Sequence, residues 1–264
     1  MTALHEAFPI RQCTDRLSPH RLRSPCALFE MGRCNGPCEG HESVLEYSVH
    51  VDAARGAILR DVRPLVRHLA ARIDLLAGQE RYEDAATHRD RLAAFVRAAA
   101  RMQRISALSS CAQLVAARPA DNKAAAGGAN SLRGHLGAGP PAGPPRSPHR
   151  AHWEVVVVRY GRLAASGVLP PDAIPSAFVA ALVATAETVR PGPGPTPGAT
   201  AEETECILRW LDGPGTRLVQ LDGEWSWPAH GAASVHDRLD STFTTDLRLP
   251  ADRPIAGPRR GRAR

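Results

Sequence analysis

The sequence is poor in lysine and in aromatic residues. Lys123 is the only lysine, so arginine supplies the other 32 of the 33 basic residues, and aromatic residues make up 5% of the chain. Arginine binds phosphate groups well, but a GC-rich coding sequence produces the same bias without any function. The formal net charge of +6 is therefore weak evidence for a nucleic-acid partner, and the local distribution of charge matters more.

Targeting segments and active-site carboxylates are also missing. The start of the chain lacks the basic and apolar regions of a secretory signal, and no run approaches the roughly 20 apolar residues of a membrane span. We expect a cytoplasmic, reducing location, where clustered cysteines favour metal over disulfides, and no membrane partner. Acidic residues are not grouped at ligand spacing, so we predict no catalytic residues and no cutting of DNA.

A dense group of cysteines is present instead. Four of the six cysteines fall within 26 residues, at Cys13, Cys26, Cys34 and Cys38. Glycines and prolines around the last three predict repeated turns, which would let the thiols converge. Only Cys34 and Cys38 have the short spacing of a zinc knuckle, and the longer, uneven separations suit an iron–sulfur cluster at least as well.

These cysteines lie in the runs FPIRQC and PCALFEMGRCNGPCEG, which resemble the cysteine-rich segment of the UvrC-type excinuclease family. The cysteine-rich segment spans residues 1–41, and the resemblance to the family covers roughly residues 1–108, with weaker similarity to about residue 228. The resemblance implies a 4Fe–4S cluster held by Cys13, Cys26, Cys34 and Cys38, with zinc as the alternative.

A connecting helix is predicted over residues 42–60. Ser43 and Glu46 form a capping box, and apolar residues follow at helical spacing. They are Val44, Tyr47, Val51, Ala54 and Ile58. We expect this stripe to pack the cysteine-rich segment against the next element.

An antiparallel helical hairpin is predicted over residues 61–108. One apolar helical pattern runs from Val62 to Gly78, and a second starts at Tyr82 after a short connection. The second helix carries RYEDAATHRDRLAAF, which resembles the UVR motif. Matching residues are Glu83, Ala85, Ala86, Arg89 and Asp90, with Tyr82 replacing the usual Phe.

The resemblance implies that this UVR-type hairpin docks on a UvrB-like helicase, although the two alanines could simply permit close packing within the chain. Tyr82 is expected to pack between the helices, with Glu83 and Arg89 facing outward or toward a partner. A basic stripe follows at Arg97, Arg101 and Arg104. We predict that it contacts DNA, and a solvated face is the alternative.

The remainder divides into a linker, a small domain and a tail. Residues 119–151 are rich in Gly and Pro and are expected to be disordered. Residues 152–228 predict a small α/β domain: a β-hairpin around Tyr160-Gly161, helices over Pro175–Val189 and Thr200–Leu211, and a strand from Arg217. Residues 229–264 predict a disordered basic tail. Cys111 and Cys206 are expected to be buried thiols.

The predicted fold class is therefore mainly α with a small α+β domain. The whole set resembles the C-terminal half of bacterial proteins that join a DEDD exonuclease to a UvrC/Cho-like GIY-YIG region. Counterparts of the GIY-YIG catalytic residues are not seen, so we expect a truncated member of a nucleotide-excision-repair family that binds damaged duplex DNA. The alternatives are a zinc-binding hairpin adaptor with no DNA role, and an inactive fragment of a split or mis-called gene.

Overall fold

The computed structural model describes residues 1–14, 16–18, 26–120, 152–194 and 196–236. The chain forms two compact units, one from the described residues of Met1–Arg101 and Pro228–Arg264, the other from those of Met102–Trp227. Helices and one four-stranded antiparallel sheet make the fold class α+β. Nearly all of the predicted linker and the tail beyond residue 236 lie outside the described residues. Within the described ranges, no helix is both long and apolar enough to cross a membrane.

The first unit is helical. Its helices are α1 (Thr2–Ala7), α2 (Ala27–Glu30), α3 (Val44–Leu59), α4 (Arg63–Gly78) and the first part of α5 (Tyr82–Ser110). The predicted capping box at the start of α3 is confirmed. The Glu46 backbone N–H donates to Ser43 Oγ at 3.2 Å, and the Ser43 backbone N–H donates to Glu46 Oε2 at 2.8 Å.

A tight turn connects α4 to α5. Backbone N–H groups of Glu80 and Arg81 donate to the carbonyls of Ala77 and Leu76, both at 2.9 Å. This pair of bonds is the Schellman arrangement, and its left-handed residue is Glu80, at φ 60°. Gly78 is simply the last residue of α4. The short connection and a shared core make α4 and α5 an adjacent helical pair, as the sequence predicts.

The core of this unit lies mainly between α4 and α5. Its fully buried members include Leu65 and Leu69 from α4 and Leu92 and Val96 from α5. Ala232 and Val235 are also buried in it. The prediction that residues 229–264 form a disordered tail is therefore wrong for the start of this segment, because these two side chains are buried in the core.

The predicted packing of the α3 stripe holds only in part in the first half of that helix, where Tyr47 is half-buried and its hydroxyl accepts from the Arg11 backbone N–H at 3.3 Å. Val44 is 80% exposed and Leu45 77% exposed, and Val51 is exposed as well. Only Ala54, Ala57 and the partly buried Ile58 reach the core. The stripe that contacts the core is thus confined to the C-terminal half of α3, where the helix approaches α4.

The second unit is built on a sheet with the strand order β3-β2-β1-β4. The strands are β1 (Gln113–Pro119), β2 (Trp153–Arg159), β3 (Arg162–Leu169) and β4 (Arg217–Asp222). The turn between β2 and β3 uses Tyr160 and Gly161 at φ 49° and 80°, which confirms the predicted hairpin. Central strand β1 was not predicted, since its short apolar run has no period that separates a buried strand from a helix.

Two helices cover the two faces of the sheet. α6 (Pro175–Thr185) packs on one face, and α7 (Ala201–Leu211) packs on the other together with the end of α5. α6 ends before the predicted Val189 because the Arg159 guanidinium donates to the carbonyls of Val183, Ala186 and Glu187 at 2.9–3.2 Å. Cys111 is buried as predicted, but Cys206 is exposed on α7, so the prediction of a buried thiol is wrong there.

Candidate cysteine cluster and helical docking surface

The segment that follows Cys26 turns back on itself repeatedly. Gly32, Gly36 and Gly40 all have left-handed φ angles, between 67° and 80°. Gly36 is also sterically constrained, since a Cβ atom there would lie 2.9 Å from Cδ2 of Phe29. The Phe29 ring stacks on His41 with 4.9 Å between ring centroids. These turns fold the segment into a compact lobe in spite of its short helix.

Three of the four predicted cysteine ligands, Cys26, Cys34 and Cys38, belong to this lobe. Burial raises the pKa of the Cys38 thiol, and negative charge on Cys26, Cys34 and Glu39 raises it further, against a lowering by a backbone hydrogen bond. Cys34 is buried and Cys26 is exposed.

Cys13 is placed differently from the other three. Its thiol is exposed and accepts a hydrogen bond from Arg11 Nη1 at 3.4 Å. In the part of the chain that the structure describes, no three His, Cys, Asp or Glu side chains converge closely enough to hold a metal ion. The thiol donor set fits an iron–sulfur cluster in chemistry, and the four thiols would have to approach one another to hold it.

Two carboxylates are partly unsatisfied in the same lobe. The Glu42 side chain is 6% exposed and contacts Asn35 and His50 through Oε1, at 3.2 and 2.8 Å. Glu39 contacts His41 through Oε2 at 3.0 Å. The second oxygen of each, Glu39 Oε1 and Glu42 Oε2, is buried and has no hydrogen-bond partner among the described residues. Buried acceptors without donors are costly.

The tip of the helical pair exposes a large aromatic side chain. Tyr82 is 66% exposed, so the prediction that it packs between the helices is wrong. The interior beside the connection is filled instead by Leu76 and Ala85, both buried. Leu75 is exposed on the α4 side of the same connection. The small Ala85 therefore supports close helix packing, while Tyr82 lies outside that packing.

The polar residues of the motif divide into an inward and an outward set. His88 Nδ1 and Arg91 Nη1 contact the two carboxylate oxygens of Glu6 at 2.8 and 2.5 Å, which ties α5 to α1. Glu83 is exposed, and so are Arg89 and Asp90, which pair with each other at 2.9 Å. The Glu6 contacts were not predicted from the sequence, although the His88/Arg91 spacing of three residues places both on one helix face.

The predicted basic stripe is only partly available. Arg97 and Arg101 are exposed on α5. Arg104 forms an ion pair with Asp212, and its guanidinium lies 5.7 Å from the ring centroid of Trp227. This arginine is therefore largely occupied within the second unit.

The net positive charge does not lie on the described surface. The described residues hold 20 basic and 21 acidic side chains, so 13 of the 33 basic residues but only 6 of the 27 acidic ones lie elsewhere. Non-specific attraction of a polyanion depends on such an excess of basic charge. The two described units together are close to neutral.

Comparison with known proteins identifies relatives of the UvrC/Cho type. Residues 1–57 match the family model of the UvrC/Cho excinuclease middle domain. The resemblance to the UvrC/Cho family is confirmed. A Mycobacterium tuberculosis protein described as a bifunctional exonuclease/endonuclease is 29% identical over 255 residues, which is 90% of this chain and 35% of the relative.

UvrABC system protein C sequences match a shorter stretch. That of Rhodopseudomonas palustris is 40% identical over 94 residues, which is 36% of this chain and 13% of the relative. That of Shewanella sp. is 36% identical over 96 residues, or 36% of this chain and 16% of the relative. The chain thus spans about a third of the mycobacterial relative and less than a fifth of these UvrC proteins. No solved structure matches it.

Proposed function

We propose that this chain is a partner-docking and cluster-binding part of a DNA-repair protein of the UvrC/Cho type. The observation that carries the proposal is the exposed Tyr82 ring at the tip of the α4–α5 pair. Every other large apolar side chain of α5 that the structure describes is at least partly buried. Large exposed aromatic rings are enriched at protein interfaces, because they bury much area at low entropy cost.

The partner proposed for this tip is a UvrB-like helicase that presents a matching helical hairpin. Leu75 and Glu83 are exposed at the same tip, and the half-buried Ala86 and the exposed Arg89 and Asp90 follow within about two turns of α5. An apolar centre surrounded by charges of both signs is a common arrangement at a specific interface. The balance of charge also favours a protein partner over a phosphate backbone at this position.

Titration calorimetry with a UvrB-type hairpin tests the docking. We expect Tyr82→Asp to lower the affinity at least about tenfold, and Tyr82→Leu to lower it far less because apolar volume is kept. Helical content should not change in either variant, since Tyr82 is exposed and Asp suits the first turn of a helix. Val168→Asp, at an exposed apolar position of β3, is the matched control. Unchanged affinity in Tyr82→Asp would place the docking surface elsewhere.

A 4Fe–4S cluster is the group proposed for Cys13, Cys26, Cys34 and Cys38. The set of four thiol donors supports it, and so do the left-handed glycine turns of the segment that carries three of them. When bound, such a cluster would cross-link a segment that has few large buried apolar side chains. The proposal requires the four thiols to converge more closely than they do among the described residues.

Anaerobic purification tests the cluster against zinc. We expect brown protein that contains iron and sulfide, with Cys34→Ser bleaching it and Cys206→Ser, at a cysteine of the other unit, leaving it unchanged. Hydrogen exchange in residues 26–42 should rise in Cys34→Ser, whereas α4 should keep its protection. Colourless protein with one bound zinc per chain would contradict the cluster and favour the zinc alternative.

DNA contact is proposed for Arg97, Arg101 and Arg104, with affinity in the non-specific range of roughly 10⁻⁴ to 10⁻⁶ M. Arg97→Ala with Arg101→Ala should weaken binding to damaged duplex and flatten its salt dependence. A variant with alanine at Arg259, Arg260, Arg262 and Arg264 shows whether the terminal arginines contribute instead. The near-neutral surface and the Arg104–Asp212 pair favour one rival, an adaptor that docks on protein and has no DNA role. If the chain shows no salt-sensitive binding to DNA, the result would favour the adaptor with no DNA role.

A further inference from the structure

The outermost strand of the sheet, β4, is unusually exposed. All six residues of Arg217–Asp222 are exposed, and the apolar Leu218, Val219 and Leu221 are 40–51% exposed. The strand pairs with β1 on one side, and among the described residues no strand lies on its other side. Edge strands of monomers are usually protected by charged side chains, especially lysine, by proline, by a bulge or by a covering segment. β4 has a bulge and two charges but neither lysine nor proline, and no described strand covers its outer edge.

A bulge in β4 determines which of its side chains share a face. The register with β1 shifts between Val115 and Ala116, which leaves Val219 as the extra residue. The observed pairs are Arg217↔Ala117, Leu218↔Ala116, Gln220↔Val115, Leu221↔Leu114 and Asp222↔Gln113. Side chains alternate along β1, so Arg217, Gln220 and Asp222 lie on one face, and Leu218 and Leu221 on the other. Without the bulge, Arg217 and Asp222 would lie on opposite faces.

We propose that two copies of this chain associate through β4, pairing antiparallel about a two-fold axis to form one continuous eight-stranded sheet. In the register centred between Val219 and Gln220, Arg217 of each copy lies opposite Asp222 of the other. Leu218 then lies opposite Leu221 on the other face of the sheet. Both charge pairs and both leucine pairs repeat by symmetry, as an isologous interface requires. Opposite charges and apolar groups directly across two strands stabilise their pairing.

The two charged groups are exposed, and Arg217 has one contact to give up on pairing. Its guanidinium lies 5.3 Å from the ring centroid of Trp153. Because Trp153 is on β2, on the far side of β1 from the free edge, the guanidinium would leave this ring to reach Asp222 of a second copy.

The other edge of the sheet, β3, is a poorer candidate. Its one charged residue, Arg162, already pairs with Glu187 at 3.2 Å. β3 is also half-buried along much of its length, because α6 and α7 pack beside it. The second copy is therefore expected at β4, where charge complementarity and exposure coincide.

Sedimentation velocity of the full chain in reducing buffer tests the proposal. We expect a reversible monomer–dimer equilibrium, with dimer present at about 100 µM and lost on dilution. Arg217→Asp and Asp222→Arg should each raise the dimer dissociation constant roughly tenfold or more, because each replaces two attractive pairs with two repulsive ones. The double variant, which exchanges the two charges, should restore dimerisation. Arg190→Asp, an exposed charge reversal away from β4, is the matched control.

Rescue by the double variant separates lost pairing from lost folding, and circular dichroism checks the fold of each single variant. Should a single variant unfold, hydrogen exchange of the wild type decides: amide protection in β4 should rise with protein concentration, while protection in β3 should not. A monomer at the highest concentration, a dimer unaffected by both reversals, or open-ended polymers would each overturn the proposal.

Discussion

Helices α3 and α4 have the same length and are both predicted to be amphipathic from the same apolar spacing, yet they bury very different surfaces. α4 places Leu65, Val66 and Leu69 in the core, whereas α3 exposes Val44, Leu45 and Val49. α4 has α5 beside it across a three-residue connection, and the first half of α3 has no such neighbour among the described residues. An apolar period therefore predicts a helix and its face, but burial depends on the neighbour.

The largest effect is expected at the buried face of α4. Leu69 is fully buried, so Leu69→Ala should lower the free energy of unfolding by about 2–5 kcal/mol through lost transfer energy and the cavity left behind. Urea denaturation followed by circular dichroism measures it. Leu75→Ala, on the exposed side of the same helix, is the control and should cost much less. Equal effects of the two substitutions would contradict the burial described for α4.

A smaller and local effect is expected at the start of α3. Ser43→Ala removes both hydrogen bonds of the serine hydroxyl to Glu46, so the first turn of α3 should fray. Amide exchange there should become about fivefold faster, while α4 stays protected. Global unfolding should hardly change, since this turn contributes little to the core. A marked loss of global stability would show that the start of α3 is better packed than its exposure indicates.

A pH-dependent effect on stability is expected at the start of α4. Hydrogen bonds from Arg63 hold the pKa of Asp61 below its ordinary value, against the opposing effect of burial. Because the pKa is depressed in the folded state, the contribution of Asp61 to stability is present at neutral pH. It is lost as pH falls through the pKa of the folded state. Asp61→Ala should cost about 0.5–1 kcal/mol near pH 7, because the group is partly exposed. Thermal unfolding of both proteins should converge in strong acid, and a constant difference would rule out this origin.

The smallest effect is expected on the exposed face of α3. Leu45→Ser should change the unfolding free energy by no more than about 0.5 kcal/mol, as substitutions at exposed positions usually do. Ala57→Ser, at a buried position of the same helix, serves as the comparison and should cost more. If Leu45→Ser lowers the unfolding free energy more than Ala57→Ser does, the first half of α3 is packed more tightly than its exposure indicates.

Local signals in the sequence were reliable where a few neighbouring residues decide the structure. The Ser43–Glu46 cap and the Tyr160-Gly161 turn follow from hydrogen bonds and φ preferences within a few residues. The pairing of β1 between β2 and β4 could not be read this way, since its partners lie 34 to 109 residues along the chain. The contacts of Glu6 with His88 and Arg91 could not be predicted from neighbouring residues either.

The candidate site shows the same limit. The sequence identified the four cysteines and the UVR-like motif, because residue types and spacings carry those signals directly. It predicted a packed Tyr82, because a large aromatic ring beside two alanines is typical of an interior. The interior was filled by Leu76 and Ala85, and that competition for space is resolved only when both helices are in place.

By itself, the sequence determined the main helices, the Ser43–Glu46 cap and the β2–β3 hairpin. It also determined the cysteine-rich segment and the likeness to the UvrC/Cho family. Each depends on residues close together in the chain or on a motif of fixed spacing. Tertiary structure alone decided that Tyr82 is exposed, that α3 leaves half its stripe uncovered and that β1 is the central strand. It also decided that the bulge in β4 sets Arg217 and Asp222 on one face. The physical reason is that burial and strand register are properties of surfaces that meet, and those surfaces are formed by residues distant in the chain.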